Sequence, residues 1–286
     1  MQRLPTWIRQ PLRTDLHYGA VQRLITKNAL HTVCHSAHCP NQQECWNRGT
    51  ATFMILGNTC TRACKFCNIS TGRPDLLDAE EPRHVAEAAQ KMNLRHVVIT
   101  SVTRDDLPDG GSAHFAATIA AVRAALPAAT IEVLTPDFNG DTVAINVVLE
   151  AQPDVFNHNL ETVRRLQGEI RPHAGYEQSL SVLRHAASSS AKATVKSGVM
   201  VGLGETDDEL LEAFRDLRAA GCELLTVGQY LRPRNGKHDV ARFVTPAAFA
   251  QLAAAARAMG FRNVAAGPLV RSSYRAEELT QTPLPV

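Results

Sequence analysis

Residues 34–67 read CHSAHCPNQQECWNRGTATFMILGNTCTRACKFC. This stretch holds six of the seven cysteines of the chain, in two triplets. Cys34, Cys39 and Cys45 are spaced C-x4-C-x5-C; Cys60, Cys64 and Cys67 are spaced C-x3-C-x2-C. Between them lies Ala51–Leu56, a short apolar and β-branched run that reads as a strand. Disulfides are the plainest reading of clustered cysteines, but nothing suggests secretion, and 286 residues can fold without staples. Structural zinc is a second reading. It usually takes four ligands from paired short spacings, which two triplets fit poorly, although His35 and His38 could complete a site. Iron–sulfur clusters are the third, since closely spaced thiolates in a reduced compartment suit iron and sulfide. Cys222 stands alone in AAGCELLTV and reads as a small buried hydrophobe.

Outward from this stretch, strand-like and helix-like segments alternate. Further strands are expected at His96–Thr100, Ile131–Leu134, Val155–Asn159, Thr194–Val201, Leu224–Leu231 and Asn263–Ala266. Helical spacing marks Pro82–Met92, Ala113–Leu126, Thr142–Ala151, Tyr176–Ala187, Asp207–Ala219 and Pro246–Met259. Thr206 with Glu209 forms a capping-box pattern, Pro246 follows Thr245 at a helix start, and Gly221 and Gly260 stand just past helix ends. The alternation predicts βαβ units and a parallel sheet. Six or seven units are too few for a complete eight-fold barrel. An open or partial barrel and a doubly wound sheet both remain possible; in either, active groups gather at the carboxyl ends of strands. The polar clusters fall there: the second triplet, Thr100–Asp106, Asn159–Thr162 and Gly202–Glu205.

Composition narrows the classes. A 44 % hydrophobic content fits a folded core, and a net charge of +2 gives no reason to expect nucleic acid as a partner. No run approaches the ~20 apolar residues of a membrane span. The basic, acid-poor start MQRLPTWIRQPLRTDLHYG faintly suggests a transit peptide, but Pro5 and Pro11 would interrupt its helix. The expectation is a soluble, cytoplasmic protein whose N-terminal arm packs on its own body.

Cys60-Thr-Arg-Ala-Cys64-Lys-Phe66-Cys67 resembles the signature of the radical S-adenosylmethionine (SAM) superfamily. The whole stretch, with TSVTRDDLPDGG, IEVLTPDF, PDVFNHNLETV, VKSGVMVGLGETDDE, LLTVGQYLRP and GPLVRSSY, resembles the lipoyl synthases within it, from about residue 31 to residue 275. That resemblance implies a partial (β/α)6-type parallel barrel over residues 51–267. An arm at 1–50 would carry the first triplet, and an extension at 268–286 would help close the barrel mouth.

The resemblance also implies two [4Fe-4S] clusters. One, held by Cys60, Cys64 and Cys67, leaves an iron open for SAM and cleaves it to a 5′-deoxyadenosyl radical. The other, held by Cys34, Cys39, Cys45 and the serine matching Ser273 of RSSY, is consumed as sulfur donor. Two sulfurs enter an octanoyl chain linked to a lysine of a lipoyl carrier domain, in 2-oxoacid dehydrogenases or the glycine cleavage H protein. An electron donor such as ferredoxin or flavodoxin is implied. The superfamily pattern places SAM contacts at Phe66, Thr100, Ser101, Asn157, Asn159, Glu161, Gly202 and Glu205, with Lys196, Arg104 and Arg171 as candidates for its carboxylate. Arg271 and Arg275 read as surface charges, and Arg275 stands where the family commonly has histidine. Another sulfur-inserting radical SAM enzyme and a non-catalytic iron–sulfur or zinc protein are the alternatives.

Overall fold

The computed structural model describes residues 4–9, 19, 22, 23, 25, 30–36, 39–47, 50–234 and 236–280; His38 lies outside them. Seven parallel strands form its centre: β1 (Ala51–Ile55), β2 (His96–Ser101), β3 (Thr130–Leu134), β4 (Val155–Asn157), β5 (Thr194–Val201), β6 (Leu224–Gln229) and β7 (Asn263–Gly267). Six helices alternate with them: α1 (Glu81–Lys91), α2 (Ser112–Ala125), α3 (Thr142–Glu150), α4 (Tyr176–Ser188), α5 (Asp207–Ala219) and α6 (Pro246–Ala258). The spatial order of the strands is their order in sequence. A doubly wound sheet must reverse that order at its switch point. Sequential parallel pairing with right-handed crossovers puts every helix on one face and curves the sheet around the other. The edges do not meet: a two-residue strand, His31–Thr32, pairs antiparallel with β1 at one end, and β7 ends the other. The fold is therefore a partial barrel.

The sequence explains the layers. All five residues of β1 and all six of β6 are buried, as strands covered on both faces require. The helices bury one stripe each, for example Leu210, Ala213, Phe214 and Leu217 on α5. The Thr206–Glu209 capping box is formed, and Thr245 caps α6. Cys222 is fully buried, the small core residue it was expected to be. Ile25 and Leu30, from the described part of the N-terminal segment, join the core of the body. Among the described residues no helix is long and apolar enough to cross a membrane.

Two charged assemblies fix the parts nearest the cysteines. At the base of the barrel, Lys196 Nζ donates to Glu132 Oε1 (2.7 Å), Asn157 Nδ2 donates to the same oxygen (3.1 Å), and His96 Nε2 lies 3.2 Å from Oε2. Lys196, Glu132 and Asn157 are wholly buried. Although burial opposes ionisation, Lys196 and His96 hold the Glu132 carboxyl down at about 2. At the top, Arg62, inside the second triplet, donates from Nε and Nη2 to the Asp105 carboxylate, both at 2.8 Å. It also donates to Asp137 Oδ2 (2.9 Å) and Asn139 Oδ1 (2.6 Å). One guanidinium thus ties the cysteine loop to the ends of β2 and β3.

Removing one partner of a buried pair leaves a bare charge, a cost of about 3–5 kcal/mol. Lys196→Met should lower unfolding stability by that amount, and Lys196→Met/Glu132→Leu should recover most of it in denaturant titrations. In the parent the Glu132 carboxyl is depressed, so its contribution is full above the unfolded value near 4.5 and falls away as pH drops towards about 2; the double variant should lack that component. Arg62→Gln should strand the Asp137 carboxylate, lower stability by about 3 kcal/mol and reduce iron bound after reconstitution, read by calorimetry and iron assay.

Candidate functional site

Both triplets open onto one cavity of about 430 Å³ at the carboxyl end of the strands. Cys34, Cys39, Thr52, Arg271, Ser272 and Ser273 line it together with Phe66, Cys67, Asn159, Glu161 and Met200. β1 makes this possible. Its N-terminal side is stitched to the segment that leads into the first triplet, with Thr32 opposite Phe53, and its C-terminal end runs into the loop of the second.

The first triplet is built from two short helices, Val33–Ser36 with Cys34 and Gln42–Asn47 with Cys45. The Cys39 amide donates to the Cys34 carbonyl, 3.0 Å. Burial pushes all three thiols upward, and the charges of Cys34 and Cys39 add to the push on Cys45. The C-terminal extension lies over this triplet. Asn41 Nδ2 donates to the Leu269 carbonyl (2.6 Å), the Thr52 hydroxyl lies 2.8 Å from Ser273 Oγ, and the Tyr274 hydroxyl donates to Glu44 Oε1 (3.0 Å). Arg275 is exposed, the surface charge it was expected to be, and also bonds Glu44 (2.8 Å), helping to hold the extension. Arg271 departs from that expectation. It is half-buried on the cavity wall and its charge steadies the Cys39 thiolate. Among the described residues it has no carboxylate partner, and Nη1 donates to the Val270 carbonyl at 2.7 Å.

The second triplet is held by backbone donors. Cys60 Sγ accepts from the amides of Arg62 and Thr103, both at 3.4 Å, and Cys67 Sγ accepts from that of Ile69 at 3.5 Å. Lys237 Nζ donates to the Cys64 carbonyl (3.1 Å). Burial raises Cys64, and raises Cys67 to about 11, with neighbouring thiolates adding to both.

Thiols of both triplets line the cavity, Cys34 and Cys39 from the first and Cys67 from the second, and burial disfavours their charged forms. A cluster of positive iron supplies the compensation that the protein does not. Among the described residues no three His, Cys, Asp or Glu side chains close on a point as ligands of a single ion do. Ligands of a four-iron cube each sit on a different iron and need no such convergence. Three free thiols in each set are donors suited to iron and sulfide, so the residues fit the clusters.

The residues expected to contact SAM divide into two groups. Phe66, Asn159 and Glu161 line the cavity. Asn159 donates to Glu161 Oε1 (3.1 Å) and Ser272 Oγ (2.6 Å), while its own Oδ1 is buried without a partner. Glu161 takes a left-handed φ of 71°, pinned by backbone bonds to Gly198 and Met200 of β5, and burial raises its carboxyl. Strain of this kind in a non-glycine residue gathers at functional sites. Gly198 is needed here: a Cβ would lie 2.7 Å from Asn159 Oδ1 and 2.6 Å from Thr226 Oγ1.

The others lie off the cavity wall. Thr100 spends its proton on the Leu134 carbonyl (2.8 Å), whereas the Ser101 hydroxyl is buried and unpartnered. Asn157 belongs to the Glu132 assembly beneath the floor. Glu205 turns both oxygens onto the amides of Gly202 and Leu203 (2.8 Å each), closing the loop before α5. Gly202 is required by protein, since a Cβ would meet Gln229 Nε2 at 2.2 Å. Of the basic candidates, Lys196 is paired below the floor, Arg104 is engaged by Asp106 and the Leu56 carbonyl, and Arg171 by the carbonyls of Asn159 and Leu160. Thr52 and Arg271, both on the wall, escaped the sequence reading; the first looked like one more strand residue and the second like a surface charge.

Comparison with known proteins agrees with this geometry. A radical SAM superfamily profile matches residues 54–217. Structures of the hydrogenase maturase HydG and of methylornithine synthase share the fold, with TM-scores of 0.59 and 0.54 over 86 % and 80 % of this chain and 62 % and 68 % of theirs, at 15 % identity each. In sequence, the chain is 56 % identical to the lipoyl synthase of Thermus thermophilus over 96 % of its length and 86 % of the relative's. It is 53 % identical to that of Rubrobacter xylanophilus over 97 % and 86 %. A match of this depth over nearly the whole chain, on a cavity lined by both triplets, places the protein in the lipoyl synthase family of the radical SAM superfamily.

Proposed function

We propose that the shared cavity is where this lipoyl synthase inserts two sulfur atoms into a protein-bound octanoyl-lysine. The observation that carries the reading is the meeting of Cys34, Cys39 and Ser273 with Cys67, Phe66 and Glu161 around one space. When bound, the clusters and SAM supply the electron, the hydrogen-abstracting radical and the sulfide that no protein side chain can provide at an unactivated C–H bond.

The chain's own residues hold and enclose. Cys60, Cys64 and Cys67 would hold the catalytic cluster, three ligands leaving room for SAM. Cys34, Cys39, Cys45 and Ser273 would hold the auxiliary cluster; a serine oxygen is a weak partner for soft iron–sulfur chemistry, which suits a ligand that must leave. Phe66 is positioned for the adenine, Asn159 and Glu161 for the ribose. Val199, Met200 and Ile69 make the wall apolar, as an octanoyl chain requires.

The described residues before 51 belong to an arm, those of 51–267 to the barrel, and 268–280 to an extension that lies over the first triplet. The partner is a lipoyl carrier domain presenting its octanoylated lysine at the barrel mouth, with a ferredoxin- or flavodoxin-type donor supplying electrons, in the cytoplasm.

After anaerobic reconstitution with iron and sulfide, the protein should bind about eight irons per chain as two four-iron clusters. Given SAM, dithionite and an octanoyl-lysyl peptide, it should release 5′-deoxyadenosine while the peptide gains the mass of two sulfurs. Cys39→Ala should keep SAM cleavage and lose sulfur insertion. SAM cleavage by the parent with no gain in peptide mass would refute the substrate assignment.

A further inference from the structure

Thr52 lies near the start of β1, 4 % exposed, with its side chain on the cavity wall. Its hydroxyl is 2.8 Å from Ser273 Oγ, a contact that joins residues 221 apart in sequence. Cys34 lines the same cavity. One strand residue therefore touches one of the ligands proposed for the auxiliary cluster and shares a cavity lining with another, one from each end of the chain.

Two protonated hydroxyls can bond in either direction. A serine oxygen bound to iron has given up its proton and only accepts, so Thr52 must then donate. A hydrogen bond to an anionic oxygen is shorter and stronger than a neutral one. It also selects one orientation of Ser273, whose χ1 otherwise has three staggered wells. The backbone frame is rigid on both sides of the contact. Thr52 is paired in register with Val98 of β2, and the segment just before Ser273 is pressed against β6: a Cβ on Gly228 would lie 2.2 Å from the Val270 carbonyl oxygen.

We propose that Thr52 is a positioning residue for the sulfur-donating cluster: its hydroxyl holds Ser273 Oγ aimed at iron and so sets how readily that ligand leaves. This rests on Ser273 being a ligand of that cluster. Thr52 touches no reacting atom itself. Its neighbour along the inward face, Met54, has no polar group to take its place.

The test compares full-length Thr52→Val, Thr52→Ser and Ser273→Ala after anaerobic reconstitution with 57Fe. Iron loss to an excess of chelator is followed in time, and the Mössbauer signal of the oxygen-ligated iron is recorded. Losing a hydrogen bond to a charged oxygen corresponds to roughly tenfold or more in an equilibrium or rate. Thr52→Val should release one iron per chain at least about tenfold faster, with the oxygen-ligated Mössbauer component diminished. Thr52→Ser should restore both iron retention and the signal. If Thr52→Val holds its iron like the parent while Ser273→Ala does not, Thr52 has no such role and Ser273 remains a ligand. If Ser273→Ala also behaves like the parent, the ligand reading itself fails. If Thr52→Ser loses iron as fast as Thr52→Val, packing and not the hydroxyl is responsible, and the proposal is overturned.

Discussion

Burial of two sets of thiols around one cavity is the constraint from which the rest of the structure follows. A thiolate in such a place is unstable by itself, and burial pushes Cys34, Cys39, Cys45, Cys64 and Cys67 towards their neutral forms. Positive iron restores the balance. The geometry must then keep the two sets close enough to serve one substrate and separate enough to remain two clusters. β1 meets both demands: its first residues border the first triplet and its end feeds the second. A strand buried on both faces and paired with a further strand on each side is a rigid ruler for that purpose.

The remaining architecture braces this ruler. Arg62 fastens the second cysteine loop to β2 and β3 through Asp105, Asp137 and Asn139. Tyr274 and Arg275 fasten the C-terminal extension to Glu44, next to Cys45. Below the floor, Glu132, Lys196, His96 and Asn157 form a buried polar group at the barrel base. The left-handed Glu161 shows the same logic at smaller scale: β4 ends, the chain turns out, and two backbone bonds to β5 draw it back so that Asn159 and Glu161 both face inward.

Much of this was legible in the sequence because the signals were local. All seven strands and six helices lie where hydrophobic period, caps and glycine stops put them, with ends differing by a residue or two; Val155–Asn159 is shorter, since Asn159 bends off the sheet. The choice between a partial barrel and a doubly wound sheet was not local, because it depends on strand order, which no short segment encodes. The cysteines declared themselves by spacing. Polar residues at strand ends were a weaker guide, because the same position serves a ligand or the fold. Asn159 faces the cavity whereas Asn157, two residues before it, is spent on Glu132, and Glu205 closes its own loop. Thr52 and Arg271 carried no local signal: their importance comes from contacts made across the chain or from a missing counter-charge.

The central claim is that two clusters share one chamber between β1 and the C-terminal extension. An anaerobic crystal structure of the reconstituted protein with SAM, phased on iron anomalous scattering, tests it most directly. Two four-iron peaks should flank the same cavity, one against Cys60, Cys64 and Cys67, the other against Cys34, Cys39 and Cys45, with Ser273 Oγ bonded to the second and SAM between Phe66 and Glu161. Iron in two separate cavities, or a Ser273 turned away from iron, would contradict the account.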